Sequence, residues 1–325
     1  MEHTRERNFR HTPVLLAECL DALRIQPDGV YVDGTLGRAG HSREIAKQLD
    51  AGRLVCIDRD AAAMDAAAER LAPWRDRVTL VRGNFADLET LLDRSGVQEA
   101  DGMLFDLGVS SPQLDDPARG FSYRTDAPLD MRMDTTAPLT ARDIVNGWPE
   151  ADLRRILTEY GEERYAARIA REIVRARERG AIETTLELVE IIRGSMPGKA
   201  LREKQHPAKR SFQAIRIAVN GELDALEPML RSAAKRLKSG GRLAVITFHS
   251  LEDRIVKQTL RDLSQGCTCP PSFPVCVCGR KPVLRLVNRK PIVPGDTEAE
   301  ENPRSRSAKL RVAEKCETET LFPDF

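Results

Sequence analysis

Four short apolar runs, each closing on an acid or followed closely by one, restrict this chain to very few folds. They are Val30–Val32 leading into Asp33, Arg53–Ile57 into Asp58, Val78–Val81 followed by Asp87, and Gly102–Phe105 into Asp106. Between them lie helical patterns, the clearest being the alanine-rich Ala61–Leu71. Continuously apolar runs belong to strands buried on both faces, which is the habit of parallel sheets. Strands alternating with helices then predict a doubly wound parallel α/β sheet. In such a sheet the carboxyl ends of the strands line the ligand crevice. Asp33, Asp58 and Asp106, with Asp87 after the third strand, are therefore candidate ligand groups, although an acid there can equally cap the next helix.

The turn after the first strand narrows the ligand. Gly34, Gly37 and Gly40 follow Asp33 at intervals of three, and a helix begins near Ser42. Glycines let backbone approach a ligand closely and adopt positive φ. The spacing is not the G-x-G-x-x-G of dinucleotide sites, and a carboxylate ahead of the first glycine suits a cationic group better than a phosphate. Asp58, 24 residues beyond Gly34, stands where an acid reaches ribose hydroxyls. A ligand with both a ribose and a cationic part fits these acids together. S-adenosylmethionine has both, and an adenine that Phe85 can flank; Phe85 is as readily a core residue.

Beyond Pro112 the strand rhythm stops. A Pro/Asp/Arg-rich loop spans 114–139, and helical patterns follow at 141–146, 150–160, 163–179 and 185–193. We expect a helical insertion over 113–210, with residues 1–112 and 211–325 forming the sheet domain. Helices at 211–219 and 222–237, a Gly240-Gly241 turn, a fifth strand at 242–248, a helix at 251–263 and strands at 282–288 and 307–313 complete it; the acid-rich 296–301 is expected to be an exposed loop. With 51 Lys+Arg against 50 Asp+Glu the net charge is +1, so no global field draws in nucleic acid or membrane. No apolar run approaches the ~20 residues of a membrane span. Residues 1–10 lack the apolar stretch of a signal peptide, and seven unevenly spread cysteines do not form a secreted disulfide framework. These features point to a cytoplasmic protein.

Several longer strings resemble one known family. Asp33–Ser42, Ile57–Asp60, Asp106–Asp115, Arg119–Tyr123, Pro128–Asp134, Tyr160–Arg164, His206–Ile217 and Phe248–Arg254 are similar to the bacterial small-subunit ribosomal RNA cytosine-N4 methyltransferases (the RsmH or MraW family). The match runs in order from His11 to about Ala313. It implies a class I, Rossmann-like methyltransferase with an inserted all-helical domain, an S-adenosylmethionine site, and a cytidine of the 16S rRNA decoding region in the small ribosomal subunit as substrate. By the family's pattern, cofactor contacts fall on Ala39, Gly40, His41, Asp58, Phe85, Asp106 and Gln113, beside Asp33 from the turn. Ala39 departs from the pattern, many relatives having a glycine there. Monomer and homodimer both remain open.

Such chemistry asks for acceptors at the N–H groups of a weakly nucleophilic amine. Asp106, with the following turn through Ser110, is the candidate to hold it, unless Asp106 serves the cofactor alone. His249 is a candidate proton relay, or a structural loop histidine. Ring C5 methylation needs a thiolate, and no cysteine lies between Cys56 and Cys267. Nor is there the Asp/Asn-Pro-Pro-aromatic turn of DNA amino-methyltransferases. For RNA, Lys199, Arg202, Lys204, Lys209, Arg210 and Arg216 form a candidate phosphate patch or ordinary solvated helix ends, and Phe121 or Tyr123 is placed to pack a flipped base. Cys267, Cys269, Cys276 and Cys278 crowd one loop. That spacing is tighter than the usual zinc pattern and is compatible with a structural zinc, metal-free thiols or a disulfide. Two other readings stand: a nucleotide-dependent oxidoreductase, disfavoured by the turn, and a non-catalytic ribosome-assembly factor, disfavoured by the intact acids.

Overall fold

The apolar runs come together as the middle of one sheet. The computed structural model describes residues 13–270, 273, 275 and 277–317. Its strands are β1 (Val30–Asp33), β2 (Arg53–Asp58), β3 (Val78–Arg82), β4 (Ala100–Asp106), β5 (Leu237–Thr247), β6 (Leu284–Leu286) and β7 (Lys309–Lys315), in the order β3-β2-β1-β4-β5-β7-β6. β1 to β5 pair in parallel, and β7 runs antiparallel to both β5 and β6. The order reverses between β1 and β4, the place where doubly wound sheets bind ligands. Leu54, Val55, Cys56 and Ile57 of β2 have no exposed surface, as a strand covered on both faces requires, and each aliphatic chain so buried contributes ~1.5–3 kcal/mol.

Two compact units divide the chain. One holds the sheet and comprises the residues up to Asp58, Ala62–Leu107 and those from Leu226; the other comprises Arg59–Ala61 and Gly108–Ala225. The second has no strand among its described residues. Its helices include Ser111–Asp115, Ala141–Gly147, Glu150–Glu159, Ala166–Arg177, Thr185–Gly194 and Lys209–Asn220. Thr140 and Thr184 start two of them, each accepting from the amide three residues on (Asp143 and Glu187), a capping box the sequence spells out. Ile144, Ile156, Ile169, Leu188, Ile192, Phe212 and Ile215 share its core.

Three expectations change. The boundary expected at residue 210 falls after Ala225, because helix Lys209–Asn220 buries Phe212, Ala214, Ile215 and Val219 among the inserted helices. Gly240-Gly241 is not a turn before the fifth strand but an irregularity within it: β4's Ala100 pairs with Leu237 and its Gly102 with Arg242, and the excess residues bulge around Gly240 at φ 78°. Asp296–Glu301 is helical rather than loop; its first-turn acids suit the positive end of a helix, and Glu298 accepts from the Leu15 amide at 2.8 Å. Among the described residues no helix is long and apolar enough to cross a membrane.

Candidate active site

Both neighbouring strands stitch down the glycine turn. Gly34 N–H donates to Leu104 O and Leu36 N–H to Ile57 O, each at 2.9 Å. A side chain at Gly34 would place its Cβ 2.1 Å from the Phe105 ring, so only glycine lets that ring pack there. Gly37, at φ 49°, donates its amide to Asp58 Oδ2 at 2.8 Å. Ala39 holds φ 58° while buried; the family's glycine would be at ease in this left-handed conformation, whereas alanine bears strain of ~1–2 kcal/mol. Gly40 begins helix Gly40–Ala46, which carries His41 and Ser42.

The strand-end acids are not equivalent. Asp33 is buried, and both its oxygens are engaged: Oδ2 accepts from Ser42 Oγ at 2.5 Å and Oδ1 from the Thr35 amide at 3.1 Å. Burial raises its carboxyl above the usual range, a rise that the Ser42 hydroxyl and then His41 oppose. Asp33 thus shapes the turn, each of its oxygens accepting one hydrogen bond from it. Asp58, half-buried, closes the turn through Gly37. After β3, Phe85 stands half-buried and edge-on to Phe105, their centroids 6.1 Å apart and planes at 80°.

Asp106 ends β4 and differs from both. Its amide donates to Thr35 Oγ1 at 2.6 Å, its Oδ2 lies 3.8 Å from His41 Nδ1, and its Oδ1 is buried with no hydrogen-bond partner. Burial pushes the carboxyl up to about 6; His41 draws it down, while Asp33 and Glu252 add to the rise. His41 Nε2 is 3.0 Å from the Val14 carbonyl, which can only accept, so that nitrogen carries a proton and Nδ1 faces Asp106. The His249 imidazole caps helix Ser250–Leu263. Its Nδ1 accepts from the Glu252 amide at 3.4 Å, its Nε2 lies 3.2 Å from Glu252 Oε1, and Glu252 Oε2 accepts from the Phe248 amide at 2.8 Å. These contacts make His249 the cap of that helix, and its buried Nε2 has no hydrogen-bond partner. The sequence reading missed Thr35, Ser42 and Glu252. The last had a signal in the His249-x-x-Glu252 spacing, which matches a capping box.

In the helical unit Gln113 is buried and both ends of its amide are engaged. Oε1 accepts from the Ser110 amide at 3.0 Å, and Nε2 donates to Asp60 Oδ2 at 2.8 Å. Arg119 reaches the same Asp60 oxygen at 2.9 Å and also donates to the Arg132 and Met133 carbonyls. Asp60, passed over as a site residue, is thus the hub of this motif. Phe121 is buried in the helical core and is not available to a base; half-buried Tyr123 stacks on His206, centroids 4.4 Å apart. Of the candidate phosphate contacts, Lys199, Lys204 and Lys209 are exposed, and Arg210 donates to the Glu162 carbonyl. Arg216 is withdrawn from that patch: its guanidinium forms a two-pronged ion pair with buried Glu222, both contacts 2.8 Å. In the sheet unit, Cys267, Cys269 and Cys278 bring their thiols together, while Cys276 lies outside the described residues.

Comparison with known proteins identifies the family. The model of the MraW methylase family matches residues 8–316. Ribosomal RNA small subunit methyltransferase H of Paenibacillus sp. strain JDR-2 is 60% identical over 314 residues, covering 94% of this chain and 99% of that protein. The proteins of the same name from Brevibacillus brevis and Geobacter sulfurreducens are each 56% identical; the alignments cover 95% and 94% of this chain and 98% and 99% of theirs.

Proposed function

This chain belongs to the MraW methylase family, and from that premise we propose that it transfers a methyl group from S-adenosylmethionine to the exocyclic N4 of a cytidine in 16S rRNA. The decoding region, presented within the small ribosomal subunit, is the substrate in this reading. One observation carries it: Asp106 offers a buried, unpartnered acceptor at the end of β4, where the strand order reverses.

The residues present fit the donor. Asp58 accepts from Gly37 through one oxygen, and a carboxylate has lone pairs for further protons, so it is suited to ribose hydroxyls. The Phe85 ring would flank the adenine. When bound, S-adenosylmethionine supplies an electrophilic methyl group on a sulfonium. Everything else falls to the protein.

The N4 lone pair of cytosine is shared with its ring, so the amine is a weak nucleophile. An acceptor at N4–H draws it toward tetrahedral geometry and takes the proton released as the new N–C bond forms. Asp106 suits that task. A carboxyl held up at about 6 is largely ionised at neutral pH yet close enough to it to bind a proton. Holding amine and methyl donor in line contributes ~7–11 kcal/mol of the barrier lowering. Exposed Lys199, Lys204 and Lys209 would meet RNA phosphates.

The test is labelled methyl transfer to small subunits that lack the modification, followed by nucleoside analysis. N4-methylcytidine is expected from the wild type. Asp106→Ala is expected to bind S-adenosylmethionine with no turnover. A wild-type chain that bound the donor but labelled nothing would overturn the reading; an active Asp106→Ala would overturn only the residue's role.

A further inference from the structure

Helix Ser250–Leu263 is joined to β6 by a long segment with neither helix nor strand among its described residues. The segment is closed at its base. Val283 N–H donates to Leu263 O at 2.8 Å, and Arg280 donates to Asp262 O and Oδ1 at 2.7 and 2.6 Å. Beyond that base its described apolar side chains face solvent: Phe273, Val275 and Val277 are 50%, 70% and 74% exposed. Connections of this length without secondary structure are uncommon in compact domains, and small loop-rich segments without a core are typically held by covalent or metal cross-links.

The cysteines are arranged for the second of these. The Sγ atoms of Cys267, Cys269 and Cys278 all lie within 4.8 Å of one another, and those of Cys267 and Cys278 are 3.7 Å apart. A disulfide would need ~2.05 Å. Four thiolates at ~2.3 Å from a tetrahedral zinc have edges of ~3.8 Å, which the Cys267–Cys278 separation matches. Backbone dipoles support negative sulfur. Cys269 N–H donates to Cys267 Sγ and Val277 N–H to Cys269 Sγ, each at 3.4 Å, the kind of outer contact that orients metal ligands.

We infer that Cys267, Cys269 and Cys278 bind one Zn²⁺, which pins this loop and holds its exposed apolar side chains in place. The three thiols lose their protons on binding, and the fourth corner is taken by another donor of the loop or by water. Soft sulfur ligands in tetrahedral array favour zinc over hard cations. None of these groups belongs to the site built around Asp106, so the inference is independent of the proposed reaction.

The full chain, made without a histidine tag and purified without chelator, is expected to carry about one zinc per molecule by elemental analysis. A mercurial thiol reagent should release it. Cys267→Ser, Cys269→Ser and Cys278→Ser should each lower occupancy at least tenfold at limiting zinc, whereas Cys316→Ser should not. Co²⁺ added to apoprotein should give thiolate-to-metal absorption, and Zn²⁺ should slow proteolysis within the loop. Wild-type protein that is folded by circular dichroism yet takes up neither Zn²⁺ nor Co²⁺ would overturn the inference. So would full metal content in the triple serine variant. If a serine variant fails to fold, the cobalt spectrum of the wild type decides.

Discussion

Replacing Asp106 by asparagine should make the protein more stable and useless at once. The carboxyl ordinarily ionises at 3.8 and is held up at about 6 in the fold, chiefly by burial. Well below pH 3.8 both folded and unfolded chains keep that proton, and the group costs nothing. As the pH rises the unfolded chain loses it first, so folding stability declines until the folded carboxyl ionises as well. Above pH ~6 the loss is constant. A rise of about two pKa units corresponds to ~3 kcal/mol at neutral pH, and roughly half of that at pH 5. About a quarter of the Asp106 side chain remains in water (26%), which makes ~3 kcal/mol a ceiling. Asparagine has the same shape and no charge, so the cost of burying an ion is absent from it.

Urea unfolding without cofactor, at pH 7.5, 5 and 4, reads this out. The sequence has two tryptophans, and Trp74 belongs to the sheet unit while Trp148 belongs to the helical one. In a Trp148→Phe background fluorescence therefore reports on the sheet. Asp106→Asn should gain up to ~3 kcal/mol at pH 7.5, raising Tm at ~2–4 °C per kcal/mol. The gain should shrink by about half at pH 5, fall to about a fifth at pH 4, and come with no methyl transfer. A variant no more stable than wild type at pH 7.5, or one whose gain ignores pH, would refute the argument.

Arg119→Met should destabilise the helical unit by roughly 3–5 kcal/mol, because Asp60, with 5% of its side chain exposed, loses the cation that holds it at 2.9 Å; urea unfolding followed by Trp148 in a Trp74→Phe background checks it, and a loss under ~1 kcal/mol would contradict it. Charge reversal at Lys199, Lys204 and Lys209 should weaken binding to ribosomal RNA and flatten its salt dependence by about one unit per lost phosphate contact, while leaving S-adenosylmethionine binding alone. An unchanged salt slope in filter binding would remove these residues from the RNA surface.

The sheet was readable because its signal is local. Arg53–Asp58 is a strand in the fold over the same residues that its uninterrupted apolar run marks. Helix starts at Thr140 and Thr184 were equally legible, since a cap is written within four residues. What escaped depended on distant partners. Asp296–Glu301 looks like solvated loop until Glu298 meets the Leu15 amide, 283 residues away in sequence. Arg216 looks like a phosphate ligand until the chain reverses at Gly221, φ 58°, and returns Glu222 to its guanidinium. The boundary after Ala225 depends on which core helix Lys209–Asn220 enters, and an amphipathic pattern names the buried face of a helix but not its host.

The acids show the same division at the site itself. Sequence places Asp33, Asp58 and Asp106 at strand ends, and there they resemble one another. What separates them is the supply of donors. Asp33 has Thr35 and Ser42 close by in its own turn, and both bond to it. Asp58 receives the Gly37 amide. Asp106 is followed by Leu107, Gly108 and Val109, which carry no donor side chain, and Thr35 meets its backbone rather than its carboxyl. One oxygen is therefore left buried and unpartnered. An unsatisfied buried acceptor costs stability that a packed core would ordinarily not retain. In the proposed reaction a donor arriving with the substrate would recover that cost only while bound, so the same oxygen that weakens the free protein would favour the N4 amine. Partnering it from within, as at Asp33, would give a firmer fold without the acceptor that the proposed reaction uses.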